Sequence, residues 1–351
     1  MIITHFRNGV KQMNRRKIVC DALNHKPTTP IPYNIGFTEQ SLNKLIQATG
    51  DTMIEEKLGN YIHYTYFWGW PTEMPEKPEH YIDSFGVEWN RSGADKDIGV
   101  VDHPQIEDLE SSGYRFPVPD IGRLRREITQ SLAKKEDQFA IVGFGFCMFE
   151  RSWTLMSMEN VLMSMIACPE ELEALYDKIC DHYMPQLDAI LEYDIDAVLF
   201  GDDWGQQQGL IMGPDHWRRF IKPRMARLYD RVKSAGKYVM QHSCGDCREI
   251  FPDLIEIGLD CYQTFQPEIY DIALMKRLYG SKLTFWGGIS TQQCLPQMTP
   301  EQLKAEIIRV VTLLREDGGL IIAPTHSMPF DIPVENILAM IDVFQNQERY
   351  F

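Results

Sequence analysis

From residue 139 onward, short apolar runs alternate with amphipathic helical stretches, and this alternation constrains the chain more than any other feature. The runs are FAIVGFG (139–145), DAVLFG (196–201), KYVMQH (237–242), LDCYQTF (259–265), KLTFWGGI (282–289) and GLIIAP (319–324). Helical patterns fill 170–193, 214–235, 246–257, 270–279 and 299–316 between them. Short strands separated by helices predict βαβ units and a parallel sheet. Their near-continuous apolar character predicts burial on both faces.

The ends of the runs decide between an open sheet and a closed barrel. Nearly every run stops at polar or unusual chemistry: Asp202 and Asp203, His242 and Cys244, Gln263 and Gln266, Gly287 and Gly288, and His326. A barrel opens all its strand C-termini onto one face and gathers such groups into one pocket. An open sheet spreads them along a line, and neither a GxGxxG after the first strand nor a P-loop occurs. The expected fold is therefore α/β, a (β/α)8 TIM barrel, in one domain over 1–351. IPYNIG (31–36) reads as a first strand and 14–25 as a helix. The Trp-, Pro- and Gly-rich stretch 66–120 gives little periodicity. It reads as an insertion or lid within an irregular N-terminal elaboration, 1–135.

A length of 351 residues suits an elaborated barrel. The formal net charge of -15 repels phosphate backbones and anionic lipid, which argues against nucleic-acid and membrane-surface partners. No apolar stretch approaches 18 residues, and MIITHFRNGVKQMNRRK has basic residues without an apolar core before a cleavage site. The expected location is the cytoplasm. Eight Cys in a chain this long then read as core thiols or metal ligands.

The sharpest local signal is QHSCGDC (241–247). His242 and Cys244 lie two apart at a strand end, so alternation directs both the same way, and imidazole plus thiolate is the donor mix zinc prefers. Two other readings stand beside it: a buried His next to an inert Cys, and a Cys244–Cys247 redox pair at a helix start. In PTHSMPFDIPVEN (324–336), His326 follows the last run and faces the same pocket mouth. As a third ligand it leaves one coordination position open, the catalytic arrangement of zinc. As a metal-free residue it is a general acid or hydrogen-bond donor. FGDDWGQQQG (200–209) offers Asp202 and Asp203 to orient a ligating His or move a proton, with Gln206 among the lining candidates. Capping of the next helix falls to Asp215. Gln263 and Gln266 are substrate-contact candidates, and the glycines at 287 and 288 allow backbone to approach a ligand. FERSW (149–153) adds Glu150 as a lining residue, or Glu150 and Arg151 as a solvated pair.

GDDWG, HSCG, FWGGI and GGLIIAPTHSMPFDIPVENI resemble the uroporphyrinogen decarboxylase superfamily, and most closely its branch of zinc-dependent, corrinoid-linked methyltransferases. The resemblance runs over roughly 15–345 and is strongest from 196. It implies a (β/α)8 barrel with the site at the strand C-termini. It implies zinc on His242, Cys244 and position 326, where His replaces the branch's usual Cys and makes a stronger Lewis acid. It also implies a corrinoid carried by a partner protein and a small thiol, methoxylated or methylated substrate. The decarboxylases carry an Arg-rich segment after the first strand, whereas PYNIGFTEQ (32–40) has no Arg to fork onto substrate carboxylates. A metal-free decarboxylase is the alternative enzyme, a barrel that only binds a ligand or carrier is the alternative class, and a homodimer is left open.

Overall fold

The computed structural model describes residues 14–93, 98–109, 111 and 113–351. The N-terminal stretch read for a leader lies, up to residue 13, outside the described residues. The chain enters through a helix, Arg15–Leu23, whose N-cap Asn14 side chain accepts from the Lys17 N–H. The first regular strand is β1 (Ile62–Phe67). Four short strands follow: β2 (Thr72–Glu73), β3 (His80–Ile82), β4 (Glu88–Asn90) and β5 (Val100–His103). They form an antiparallel sheet in the order β2-β3-β4-β5, so the aperiodic stretch holds a sheet extension. Its strands of two to four residues are too short to print a period on the sequence.

The six apolar runs are all strands: β6 (Phe139–Phe144), β7 (Ala197–Gly201), β10 (Tyr238–His242), β11 (Cys261–Phe265), β12 (Thr284–Ile289) and β13 (Leu320–Pro324), with a hairpin of β8 (Gly205–Gln206) and β9 (Gly209–Leu210) after β7. β1 joins these six in one parallel sheet, ordered β1-β6-β7-β10-β11-β12-β13. Every residue of β6, β7, β12 and β13 is buried, as strands covered by helices should be.

IPYNIG is not a regular strand. It makes an isolated bridge, Tyr33 to Ile322, and Phe37 makes another to Met328. Pro32 has no N–H for a ladder. The Ile31 backbone is held by the Gln347 side chain (2.8 Å at both N–H and C=O) and Ile35 by Asn60 (2.8 and 2.9 Å). The segment still touches both sheet edges: Asn34 N–H donates to Ile322 O at 3.2 Å, and Tyr61 N–H donates to Tyr33 O at 3.1 Å. One short segment can reach β13 and the start of β1 only because the seven-stranded sheet curls.

Helices cover the outer side. Pro169–Ile190 leads into β7, and Pro300–Leu314 crosses from β12 to β13 behind a Thr299–Gln302 capping box. The stretch 214–235, expected as one helix, is broken by a wide turn at Trp217–Ile221. Pro223 removes a helical donor. The Arg224 guanidinium donates to the freed Arg219 carbonyl at 3.3 Å. Asp215 does not cap this helix: the N-cap is Gly213, and Asp215 stands exposed in the first turn beside Arg218 (3.3 Å). One apolar cluster runs continuously from Val19 to Phe344. Among the described residues, no helix is long and apolar enough to cross a membrane, and the eight cysteines form no disulfide.

Candidate metal centre at the strand ends

His242 is the last residue of β10, and His326 lies two residues beyond β13. In a flat sheet, three strand spacings of about 4.8 Å would hold them roughly 14 Å apart. The curl brings them together on Cys244: Sγ lies 3.1 Å from His326 Nε2 and 3.5 Å from His242 Nε2. All three donor atoms lie within 4.8 Å of one another, so they could hold one metal ion.

The loop that carries Cys244 is fixed by backbone contacts. Asp203 Oδ1 accepts the Cys244 N–H (2.8 Å), Gln266 Oε1 accepts the Gly245 N–H (2.9 Å), and the Tyr270 hydroxyl donates to Gly245 O (2.7 Å). Gly245 has φ +74°, and a Cβ there would meet Gly205 carbonyl carbon at 2.4 Å, so HSCG requires its glycine. Cys247 is buried at the foot of the loop with Sγ 3.4 Å from Ser243 Oγ, where it packs as a thiol.

Ring orientation is set one step back. His242 Nδ1 is hydrogen-bonded to Gln263 Oε1. That oxygen only accepts, so Nδ1 carries the proton and Nε2 turns its lone pair toward Cys244 and Asp203 Oδ1 (3.5 Å). Burial pushes His326 down to about 4, which keeps it neutral and able to ligate. Burial first, then the Asp203 carboxyl, pushes the Cys244 thiol well above its ordinary value. A cation at the cluster would reverse that preference and draw out the thiolate.

The paired carboxylates separate. Asp203 is the one beside His242 and Cys244. Asp202 is fully buried and accepts the N–H groups of Phe149 (3.0 Å) and Glu150 (2.7 Å) at the start of helix Met148–Met156, and that of Trp204 Nε1 (2.5 Å). Burial outweighs these donors and raises Asp202 to about 7. Glu150 is raised well above its ordinary value by burial and by Asp203 and Asp202.

Other expected residues fall elsewhere. Arg151 is no solvated partner of Glu150; it is fully buried against Asp83 at 2.8 Å and ties helix Met148–Met156 to the sheet extension. Gln206 is exposed in the β8–β9 hairpin, where its carbonyl accepts from Asp246 (2.8 Å). Gly287 and Gly288 serve protein packing: a Cβ at 287 would stand 2.8 Å from Phe265 N and one at 288 would stand 3.1 Å from Val310 Cγ1. Phe67, Trp68 and Trp70 line a separate cavity of 390 Å³ with Phe85 and Phe144, away from the metal cluster. Tyr64 and Tyr66 of β1 are partly exposed, and the sequence reading singled out neither by itself. Their signal was an alternation, aromatic at 64 and 66 and polar at 63 and 65.

The described residues thus form a curled seven-stranded parallel α/β sheet with a His–Cys–His cluster over its strand C-termini. The chain belongs to the uroporphyrinogen decarboxylase (URO-D) family, whose profile matches residues 95–347. It is similar to a methylated-thiol–coenzyme M methyltransferase of Methanosarcina mazei, 21% identical over 187 residues, covering 53% of this chain and 48% of that protein. It is also similar to a uroporphyrinogen decarboxylase of Bacillus thuringiensis, 27% identical over 154 residues, 42% of this chain and 43% of that one. The chain thus spans about half the length of the curated relatives it matches. A solved methyltransferase from Methanosarcina mazei has the same fold: TM-score 0.69 and 19% identity over 96% of this chain and 100% of that one.

Proposed function

We propose that this chain is a zinc-dependent methyltransferase that moves a methyl group between a corrinoid on a separate carrier protein and a small thiol or methylated substrate. One observation supports the reading above others: two imidazoles and one thiol converge within 4.8 Å at the strand ends. Three protein donors leave a coordination position for substrate, and nitrogen with sulfur suits zinc. Zinc held there by His242, Cys244 and His326 would supply Lewis-acid polarisation of a substrate heteroatom and a lowered pKa for a coordinated thiol.

The chain's own residues do the rest. Gln263 fixes the His242 ring with Nε2 facing the site. Asp203 holds the Cys244 backbone and places Oδ1 to take a proton from a bound thiol. Asp202 anchors the helix that carries Glu150 to the pocket wall. We read the chain as one (β/α)8 domain over 1–351, with 31–37 as a reduced eighth stave, acting in the cytoplasm. A metal-free decarboxylase is the competing reading, and the Arg-free segment 32–40 weighs against it.

The test is metal content on protein purified without added metal, for the wild type and for His242→Ala, Cys244→Ser and His326→Ala. The expected result is about one zinc per chain, lost in each variant, followed by methyl transfer between methylcobalamin and a thiol. A folded wild type without metal would overturn the zinc reading.

A further inference from the structure

The 390 Å³ cavity beside the sheet extension is separate from the site described above: none of its lining residues belongs to the His242–Cys244–His326 cluster. It lies on the outer side of the parallel sheet. Strand alternation turns Tyr64 and Tyr66 of β1 into the curl and turns His63, Thr65 and Phe67 away from it. His63 and Thr65 meet Ser131 Oγ of the covering helix Ile121–Leu132 (2.9 and 2.5 Å), and Phe67 pairs with Phe144 of β6. Beyond these two strand ends, Trp68, Trp70 and Phe85 complete an aromatic wall. Helix Pro169–Ile190 supplies the polar side: His182 and Gln186 are four residues apart and share one helix face. Pro117 and Pro119 stiffen the rim, and between them Val118 keeps 91% of its surface exposed. A cavity of this size, largely apolar with a few placed polar groups, has the form of a small-molecule site.

Both helix residues present an acceptor. Gln186 is only 5% exposed, and its Nε2 donates to His182 O at 3.1 Å. A carbonyl only accepts, so this contact fixes the amide with its NH2 on the helix backbone and Oε1 turned away from it. Among the described residues, no donor meets Oε1. His182 Nδ1 lies 3.1 Å from Pro117 O, which again only accepts, so Nδ1 carries the proton and Nε2 keeps a lone pair. Among the described residues, no donor meets that lone pair either. The rim charges are engaged. Asp120 accepts the Arg123 N–H as helix N-cap, and the Arg123 guanidinium is bonded to Glu127 (2.7 Å) and lies 5.2 Å over Trp70. A buried acceptor without a donor favours a ligand that brings one, and an aromatic wall favours a ring.

We propose that this cavity is a second ligand site, for a neutral aromatic molecule that packs its ring among the five aromatic side chains and donates an N–H or O–H to Gln186 Oε1, with His182 Nε2 beside it as a further acceptor. Calorimetric titration of the full chain with indole and with benzofuran tests it, because benzofuran has nearly the same shape and puts an oxygen lone pair where indole has its N–H. Indole is expected to bind about tenfold more tightly, equivalent to about 1.4 kcal/mol. Gln186→Leu should remove that preference by weakening indole alone. Trp70→Ala, which opens the wall, should weaken both probes together. Cys244→Ser should leave indole affinity unchanged, so this site and the metal reading stand or fall separately. No binding of either probe to the wild type, equal binding of the two, tighter binding of indole-3-carboxylate, or a preference that survives in Gln186→Leu would overturn the proposal. If Gln186→Leu does not fold, as read by circular dichroism, the comparison of the two probes on the wild type decides.

Discussion

Among the described residues, two clusters hold metal-competent donors within 4.8 Å of one another, and they are built differently. One is His242, Cys244 and His326 at the ends of the parallel strands. The other is His80, Glu88 and Asp102 on the antiparallel extension. In the second, the donors are already engaged. His80 Nδ1 meets Pro78 O at 3.0 Å and Nε2 meets Asp102 Oδ2 at 3.2 Å, while Glu88 is paired with Lys77 Nζ at 2.6 Å. In the first, the donors contact one another, Cys244 Sγ standing 3.1 Å from His326 Nε2, and burial holds the Cys244 thiol and the His326 imidazole in their neutral forms. Proximity of donors is thus a weak criterion for a metal site, and donors that meet one another rather than outside counter-charges are a stronger one.

The largest expected effect is on the first cluster. Removing any one ligand should abolish stoichiometric zinc and lower methyl transfer by more than about 100-fold, since changes one step further out already cost 10–100-fold. Elemental analysis beside turnover would check it. A variant that keeps full zinc and full activity would remove that residue from the set.

Next in size is the bond between the two regions. Arg151 and Asp83 are both fully buried, 2.8 Å apart, with Arg151 stacked 3.8 Å over Phe85. Arg151→Ala strands a buried carboxylate and should cost about 3–5 kcal/mol in urea unfolding. Arg151→Met with Asp83→Asn, which removes both charges, should cost much less. Equal losses would mean that the pair itself adds little to the attachment of the extension.

Gln263→Ala and Asp203→Asn test orientation at the first cluster. Each is expected to weaken zinc by about 10–100-fold while leaving the fold intact. Competition with a calibrated chelator would measure it, and unchanged affinity would show that ring orientation does not limit binding.

These contrasts also explain how legible the molecule was. The ends of β7, β10, β11 and β13 were readable because strands buried on both faces are apolar throughout, so His242, Cys244 and His326 stand out where the apolar run stops. β1 was not readable: its outward His63 and Thr65 bond to Ser131, and its inward Tyr64 and Tyr66 line a space. Neither face is a plain apolar stripe. The first strand expected at 31–36 was obscured by side chains, Gln347 and Asn60, standing in for a ladder. The two aspartates looked equivalent because sequence shows neighbours along the chain, whereas two of Asp202's three donors come from helix Met148–Met156, about fifty positions away in the chain.

A pH measurement sharpens the difference between the regions further. His182 packs 4.6 Å from Phe85 of the extension, its Nδ1 bonded to Pro117 O at 3.1 Å, and burial lowers it to about 4. The folded state thus holds fewer protons than the unfolded one between that value and an ordinary histidine near 6.5. Stability from this group is complete above 6.5 and is lost as pH falls to about 4. The full loss, reached below about 4, is on the order of 3 kcal/mol. His182→Gln should flatten that part of the stability profile of a zinc-free Cys244→Ser background. A profile unchanged by the substitution would place the acid sensitivity elsewhere.

The smallest effect belongs to the second cluster, and it is the most exacting check. His80→Ala and Glu88→Gln are expected to leave zinc stoichiometry and turnover unchanged and to shift stability by under about 1 kcal/mol, because partly exposed pairs contribute little. The physical reason is that a metal ion would have to displace Lys77 from Glu88 and break the His80–Asp102 contact before gaining its own bonds. Equilibrium dialysis against zinc decides it: one equivalent in the wild type and none in Cys244→Ser fits engaged donors. A second equivalent that survives in Cys244→Ser and vanishes in His80→Ala would show that internal ion pairs do not protect such a cluster from metal, and the distinction between the two regions would fail.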